Sequence, residues 1–236
     1  MRAVRSGFIQ MFTYMRRDMM LFAAGLAPIL AGFLFRFGIP LLENALTAWL
    51  HRPSVLSPYY ALADLFFAML APVMFCFVSA MAALEETDDR TAAYLFVTPL
   101  GRGGYLAARF WIPAAAACLV TIVLLSVFRL TSLSIAGIVL LAAGGTLQGI
   151  IVSLMILTFS SNKLEGMAVA KLSGIVICGA AVPFFVKHKI QYILFPMPSF
   201  WIGKAVHEEM LLSMVPAFAL SAGWIFFLLK RYLRRI

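Results

Sequence analysis

Charge is what this sequence has least of. Asp, Glu, Lys and Arg make up 12% of its 236 residues while 63% are apolar, and a water-soluble fold has no interior large enough to hide that much apolar surface. Cysteine is scarce as well. Cys76, Cys118 and Cys178 are odd in number, far apart and set in apolar runs, a pattern of small buried hydrophobes that suggests neither a disulfide framework nor a zinc site. His51, His188 and His207 are scattered, with no carboxylate at metal-ligand spacing. Enzyme signatures are missing too: no glycine-rich loop ends in Gly-Lys-Ser or Gly-Lys-Thr, and there is no His-Glu-x-x-His or Gly-x-Ser-x-Gly. No catalytic residue, cofactor or metal site is expected in this chain.

What the sequence has in quantity is long apolar runs. Six reach about twenty residues, the length a helix needs to cross a hydrocarbon core of roughly 30 Å. They run from Met20 to Leu42, Leu62 to Leu84, Tyr105 to Phe128, Ser134 to Phe159, Met167 to Val186 and Leu211 to Leu229. The runs are continuous rather than alternating, so they predict helices and not a barrel. The expected fold is an all-α membrane protein, with residues 1–236 forming a single transmembrane domain. Pro28, Pro72, Pro113, Pro183 and Pro216 lie within or near the ends of five runs, where each removes a backbone hydrogen bond and permits a bend. Gly144-Gly145-Thr146-Leu147-Gln148-Gly149 has a superficial likeness to a phosphate loop but lacks the lysine and sits mid-run. Gly145, Gly149 and Ser153, four apart, instead predict close approach of a neighbouring helix.

The basic residues set an orientation. Arg36, Arg52, Arg129, Lys187, Lys189 and Lys204 fall on one side of the six spans, leaving thirteen of the nineteen on the side that holds both ends. The positive-inside rule makes that side the cytoplasm. The net charge of +9 then belongs beside anionic headgroups, and nucleic acid is not an expected partner. Arg16, Arg17 and Asp18 directly precede the first run, which argues against a cleavable signal. Val4, Phe8, Met11, Phe12 and Met15 recur at helical spacing, so residues 1–19 read as an interfacial helix, with a basic tail as the alternative.

The segment after the second run is the most informative. Glu85-Glu86-Thr87-Asp88-Asp89-Arg90 sets four carboxylates against the cytoplasmic end of a membrane helix. Asp88 or Asp89 is placed to cap a short helix reaching about Val97, where the carboxylates favour its N-terminal dipole. Pro99 and the following glycines end it. Glu86 and Arg90, four apart, are spaced for an intrahelical pair contributing about 0.2–0.5 kcal/mol. A solvated acidic loop is the bland alternative.

This order of residues resembles a known family. The acidic cluster after the second of six spans, Thr91, Leu95, Thr98-Pro99-Leu100, Tyr105-Leu106 and the basic Arg109 are similar to the permease signature of ATP-binding-cassette exporters of the second type. Arg90 stands where that signature has glycine, and Arg109 where it has lysine. The resemblance extends along nearly the whole chain, including the outer segment 187–210 with Tyr192, Phe195, Pro196, Pro198, Phe200 and Trp201, which implies short outer helices before the last span. Arg16-Arg17-Asp18 and the stretch from Arg36 to Glu43 further resemble a subgroup labelled fluoroquinolone export permeases.

The resemblance implies a cytoplasmic coupling segment over residues 85–104, carried by Glu85, Glu86, Asp88, Asp89, Arg90, Tyr94, Leu95, Phe96, Thr98, Pro99 and Arg102. It implies a separate nucleotide-binding ATPase that binds ATP and Mg, and a second permease copy or homologous permease. It places the protein in a bacterial or archaeal plasma membrane as an efflux component. Three other classes stay open, one of them a non-transporting membrane anchor for a partner protein. A secondary carrier would carry ionisable groups at mid-membrane and often an internal repeat, neither of which stands out here. A membrane-embedded lipid-modifying enzyme would need clustered Asp, Glu or His at the interface, for which the acidic group is the one candidate. Arg36 and Asp64, near the outer ends of the first two runs, either snorkel or share a polar site at the outer mouth of a pathway.

Overall fold

The computed structural model describes residues 18–89, 91, 94, 101–186 and 188–234, with Arg102 and Leu211 described by backbone alone. The expected interfacial helix over residues 1–19 therefore lies almost wholly outside the described residues. Six helices are long and apolar enough to cross a membrane: α1 (Met19–Leu50), α2 (Tyr60–Asp88), α3 (Gly103–Phe128), α4 (Ile135–Phe159), α5 (Lys163–Phe185) and α7 (Met214–Leu233). Between α5 and α7 lie a short 3-10 turn, Lys189–Leu194, and α6 (Pro198–His207). Among the described residues there is no strand, and the protein is an all-α, multi-pass membrane protein.

Two helices run further than their apolar runs. α1 continues past Leu42 to Leu50, and α2 past Leu84 to Asp88. At 32 residues, α1 is longer than a perpendicular crossing requires at about 1.5 Å per residue. Hydropathy marks where lipid contact stops, whereas helical hydrogen bonding continues until a cap or a loop interrupts it.

α2 and α4 form the centre and are mostly buried, whereas α1, α5 and α7 leave most of their apolar surface exposed. Lipid tails are as apolar as leucine side chains, so helices in a bilayer gain from close packing rather than from removal from water. The glycines of α4 supply that closeness. A Cβ on Gly145 would stand 2.1 Å from the carbonyl oxygen of Ala68, and one on Gly149 2.9 Å from that of Pro72. Ala68 is also the residue whose carbonyl Pro72, four positions on, has no N–H to serve. Gly145 thus turns an α-hydrogen onto a carbonyl that its own helix leaves short of a donor, a contact of about 0.5–1 kcal/mol. α3, α5 and α7 pack around α4, and α1 lies against α2 and α3.

The same proline logic shapes α1 and α3. Each widens into a π turn, Leu34–Gly38 and Ala107–Trp111, two residues before Pro40 and Pro113. A proline inside a helix clashes with the carbonyl four residues back, and a wider turn relieves the clash. Those carbonyls belong to Arg36 and Arg109. In α5 a 3-10 turn, Gly179–Ala181, precedes Pro183, and α6 seats against it: a Cβ on Gly203 would meet the carbonyl oxygen of Ala180 at 2.1 Å.

Candidate functional site

Glu85, Glu86 and Asp88 occupy the last turn of α2, with Asp89 as its C-cap. The short helix expected to follow Asp88 or Asp89 lies mostly outside the described residues; of its span, Thr91 and Tyr94 are described and both are helical. Carboxylates at a helix C-terminus face the negative end of its dipole, so they need cations from elsewhere. Glu86 finds Arg109 in the π turn of α3: the guanidinium donates to both carboxylate oxygens, from Nε at 3.0 Å and from Nη2. The Arg109 side chain is 4% exposed and that of Glu86 22%. The backbone carbonyl of Arg109 accepts from the Ser79 hydroxyl of α2. Two neighbouring contacts therefore lock α2 to α3 just before and after the connector between them.

Glu85 turns the other way. Its Oε2 lies 3.2 Å from Nζ of Lys163, the first residue of α5, and the same ammonium reaches Oδ2 of Asp18 at 2.6 Å. Asp18 is the N-cap of α1, its Oδ1 accepting from the backbone N–H of Met20 and Leu21. The hydrogen bond from Lys163 holds the Asp18 carboxyl below its ordinary pKa, with burial opposing and the two cap bonds helping. Asn162 caps the N–H of Glu165, and the Glu165 carboxylate reaches back to the Ser161 N–H, which together fix the start of α5 and hence the aim of Lys163. One end of the bundle thus gathers α1, α2, α3 and α5 around two cations and three carboxylates.

Asp88 and Asp89 are exposed on this end. Thr91 donates its hydroxyl to the Glu86 carbonyl at 3.0 Å, and Tyr94 is 72% exposed. Arg90, Leu95, Phe96, Thr98 and Pro99 lie outside the described residues. Arg102 falls in the helical turn that begins at Gly101, whose φ of 61° is a left-handed conformation that glycine adopts without strain.

Arg36 and Asp64 are brought to a common loop at the opposite end. Asp64, 2% exposed, accepts from the Leu130 N–H at 2.7 Å, the Thr131 N–H at 2.8 Å and the Thr131 hydroxyl at 2.5 Å. Arg36 donates to the Arg129 carbonyl at 2.7 Å. Both side chains hold the turn between α3 and α4. Glu43, which the sequence did not single out as a site residue, does the same for the α1–α2 turn, accepting from Val55, Leu56 and Ser57. On the outer segment, Lys204 donates to the Tyr192 hydroxyl at 2.6 Å, which raises its pKa, with burial opposing and Glu208 adding to the rise.

The family described as fluoroquinolones export permease protein Rv2686c-like matches residues 11–233. The chain belongs to that family. Two curated members of Mycobacterium tuberculosis, the fluoroquinolones export permease proteins Rv2686c (strain ATCC 25618 / H37Rv) and MT2760 (strain CDC 1551 / Oshkosh), are each 26% identical to it over 204 residues. The match covers 80% of this chain and 75% of each relative. No solved structure matches. Within this export-permease family the matched region takes in all six spanning helices and the Glu86–Arg109 pair.

Proposed function

We propose that the chain is the membrane-spanning subunit of an ATP-driven exporter, working as a dimer with a second copy or a homologous permease. The pathway forms between the two permeases. A separate nucleotide-binding subunit binds ATP and Mg, and its closure moves residues 85–104, the lever of this chain. Planar amphipathic antibiotics of the class named for the relatives are the first cargo to test. Both termini and the lever face the cytoplasm of a bacterial or archaeal cell.

The observation that carries this reading is the bidentate contact of Glu86 with Arg109. It joins the last turn of α2 to the first turns of α3, so the connector between them has a fixed base. A force on that connector is then delivered to both helices together instead of being lost in a slack loop. Charge-assisted, two-pronged bonds of this kind hold geometry as well as adding energy.

The test is reconstitution. The permease, co-expressed with candidate cassette ATPases of its source organism, is expected to purify as two membrane and two nucleotide-binding subunits. In vesicles it is expected to move a fluoroquinolone only when ATP is supplied on the ATPase side. Drug flux driven by an ion gradient in vesicles of the permease alone would sink this reading and favour a secondary carrier.

A further inference from the structure

Lys163 stands apart from the locked α2–α3 base. Its ammonium is shared between two carboxylates on two other helices, Asp18 of α1 and Glu85 of α2, while its own backbone begins α5. Side-chain exposures are 30%, 20% and 31% for Lys163, Asp18 and Glu85, against 4% for Arg109. Partly hydrated pairs are individually weak, and a lysine with two partners can release one while keeping the other. The Glu86–Arg109 contact is two-pronged and its guanidinium is buried, so it holds one geometry more firmly than a single shared ammonium does. α1 and α5 are also the two spanning helices least buried in the bundle, so they are the elements with most room to shift against the α2–α4 centre.

We propose that Lys163 is a positioning residue for export: by exchanging between Glu85 and Asp18 it makes the starts of α1 and α5 follow the movement of the coupling segment. This rests on the exporter reading above. Lys163 sits outside residues 85–104 and has no part in binding nucleotide; its role is to carry displacement from the foot of α2 to the two peripheral helices. What the role requires is a positive charge on a flexible stem within reach of both carboxylates.

The test compares wild type, Lys163→Gln and Lys163→Arg, each reconstituted with its ATPase, reading drug flux and ATP hydrolysis in the same vesicles. Lys163→Gln is expected to keep the complex and its hydrolysis while flux per ATP falls about tenfold, the scale of coupling changes from single residues. Lys163→Arg is expected to stay within about twofold of wild type, since the charge is retained. Unchanged flux per ATP in Lys163→Gln would overturn the proposal. So would equal losses in both variants, or loss of folded complex in Lys163→Gln alone, which would show a lysine that holds the fold and transmits nothing. Wild-type vesicles without ATP-driven flux would instead sink the exporter reading, before any variant is compared.

Discussion

The Ser79 hydroxyl of α2 donates to the backbone carbonyl of Arg109 in α3, the acceptor that Pro113, four residues on, has no N–H to serve. One residue pair thereby links three sequence features: a proline, a π turn and a buried serine. The guanidinium of the same Arg109 holds Glu86 about two turns further along α2, so a single arginine grips α2 by backbone and side chain.

Removing either grip should loosen the base. Ser79→Ala is expected to cost about 1 kcal/mol, the usual net worth of an intramolecular hydrogen bond. Arg109→Met, which strands Glu86 at the negative end of its helix, should cost about 2–4 kcal/mol, the lower part of the range for a broken buried pair because Glu86 is partly hydrated. Reversible unfolding in detergent, followed by tryptophan fluorescence, gives both values. A smaller loss for Arg109→Met than for Ser79→Ala would contradict this ordering.

The α2–α4 seam offers a sharper steric test. Gly145→Ala puts a methyl 2.1 Å from the Ala68 carbonyl oxygen, and no side-chain rotation can relieve a clash with backbone. The expected loss is about 1–3 kcal/mol, as for overpacked cores. Gly174→Ala, where a Cβ meets nothing within 4 Å, serves as the control and should be neutral. Thermal midpoints of the two variants at matched detergent decide it.

At the far end, Asp64→Asn replaces an acceptor facing three donors with an amide that brings two more. The α3–α4 turn should then loosen, seen as faster amide exchange at Leu130 and Thr131 with a stability loss of about 1–3 kcal/mol. Arg36→Gln should perturb the same turn less, since Arg36 is exposed and makes one bond to the loop. Transport and assembly unchanged in both variants would leave the two residues as loop fasteners and remove the idea of an outer polar site.

Acid should act through Asp18. Its folded pKa lies below the ordinary value of 3.8, so its contribution is fully present above that value and fades as pH falls through the lower folded one. The stability difference between wild type and Asp18→Asn should therefore be constant near about pH 6 and shrink on acidification below the unfolded value. A difference that grows with acid would mean the Lys163 contact is not what stabilises the carboxylate.

Much of the architecture was legible in the sequence, because a membrane makes its demands locally. Every spanning helix must supply its own apolar length, so the six runs declared themselves, and Gly145 and Gly149 at a spacing of four marked the helix seam. The ion pairs were not legible. Glu86 has Arg90 at the favourable local spacing, yet among the described residues its cation is Arg109, twenty-three positions away, since a carboxylate in a last turn is served by whatever the next helix brings alongside. Lys163 and Glu43 escaped notice for the same reason: a lone charge at a helix end reads as solvated until the fold gives it partners. The ends of α1 and α2 were misplaced because polarity marks the membrane edge and not the end of the helix.

The carboxylates themselves should separate two roles. Glu85→Ala and Glu86→Ala are both expected to impair export while leaving membrane insertion intact, Glu86→Ala with the larger loss of stability because it takes a two-pronged carboxylate partner from the buried Arg109. Equal thermal midpoints for the two variants would contradict the division between a two-pronged pair on a buried guanidinium and a shared, exchanging ammonium.

The central claim, that residues 85–104 couple this permease to an ATPase, is tested most directly by placing a charge on the segment's apolar residues. Leu95→Asp or Phe96→Asp, expressed at wild-type level and reconstituted with the ATPase, would be assayed for ATP-driven drug flux and for retained ATPase. The expected result is that ATPase is lost, or that hydrolysis continues without export, because an unpaired carboxylate is forced into an apolar contact. Wild-type retention, hydrolysis and flux in both variants would contradict it and leave the segment a solvated loop.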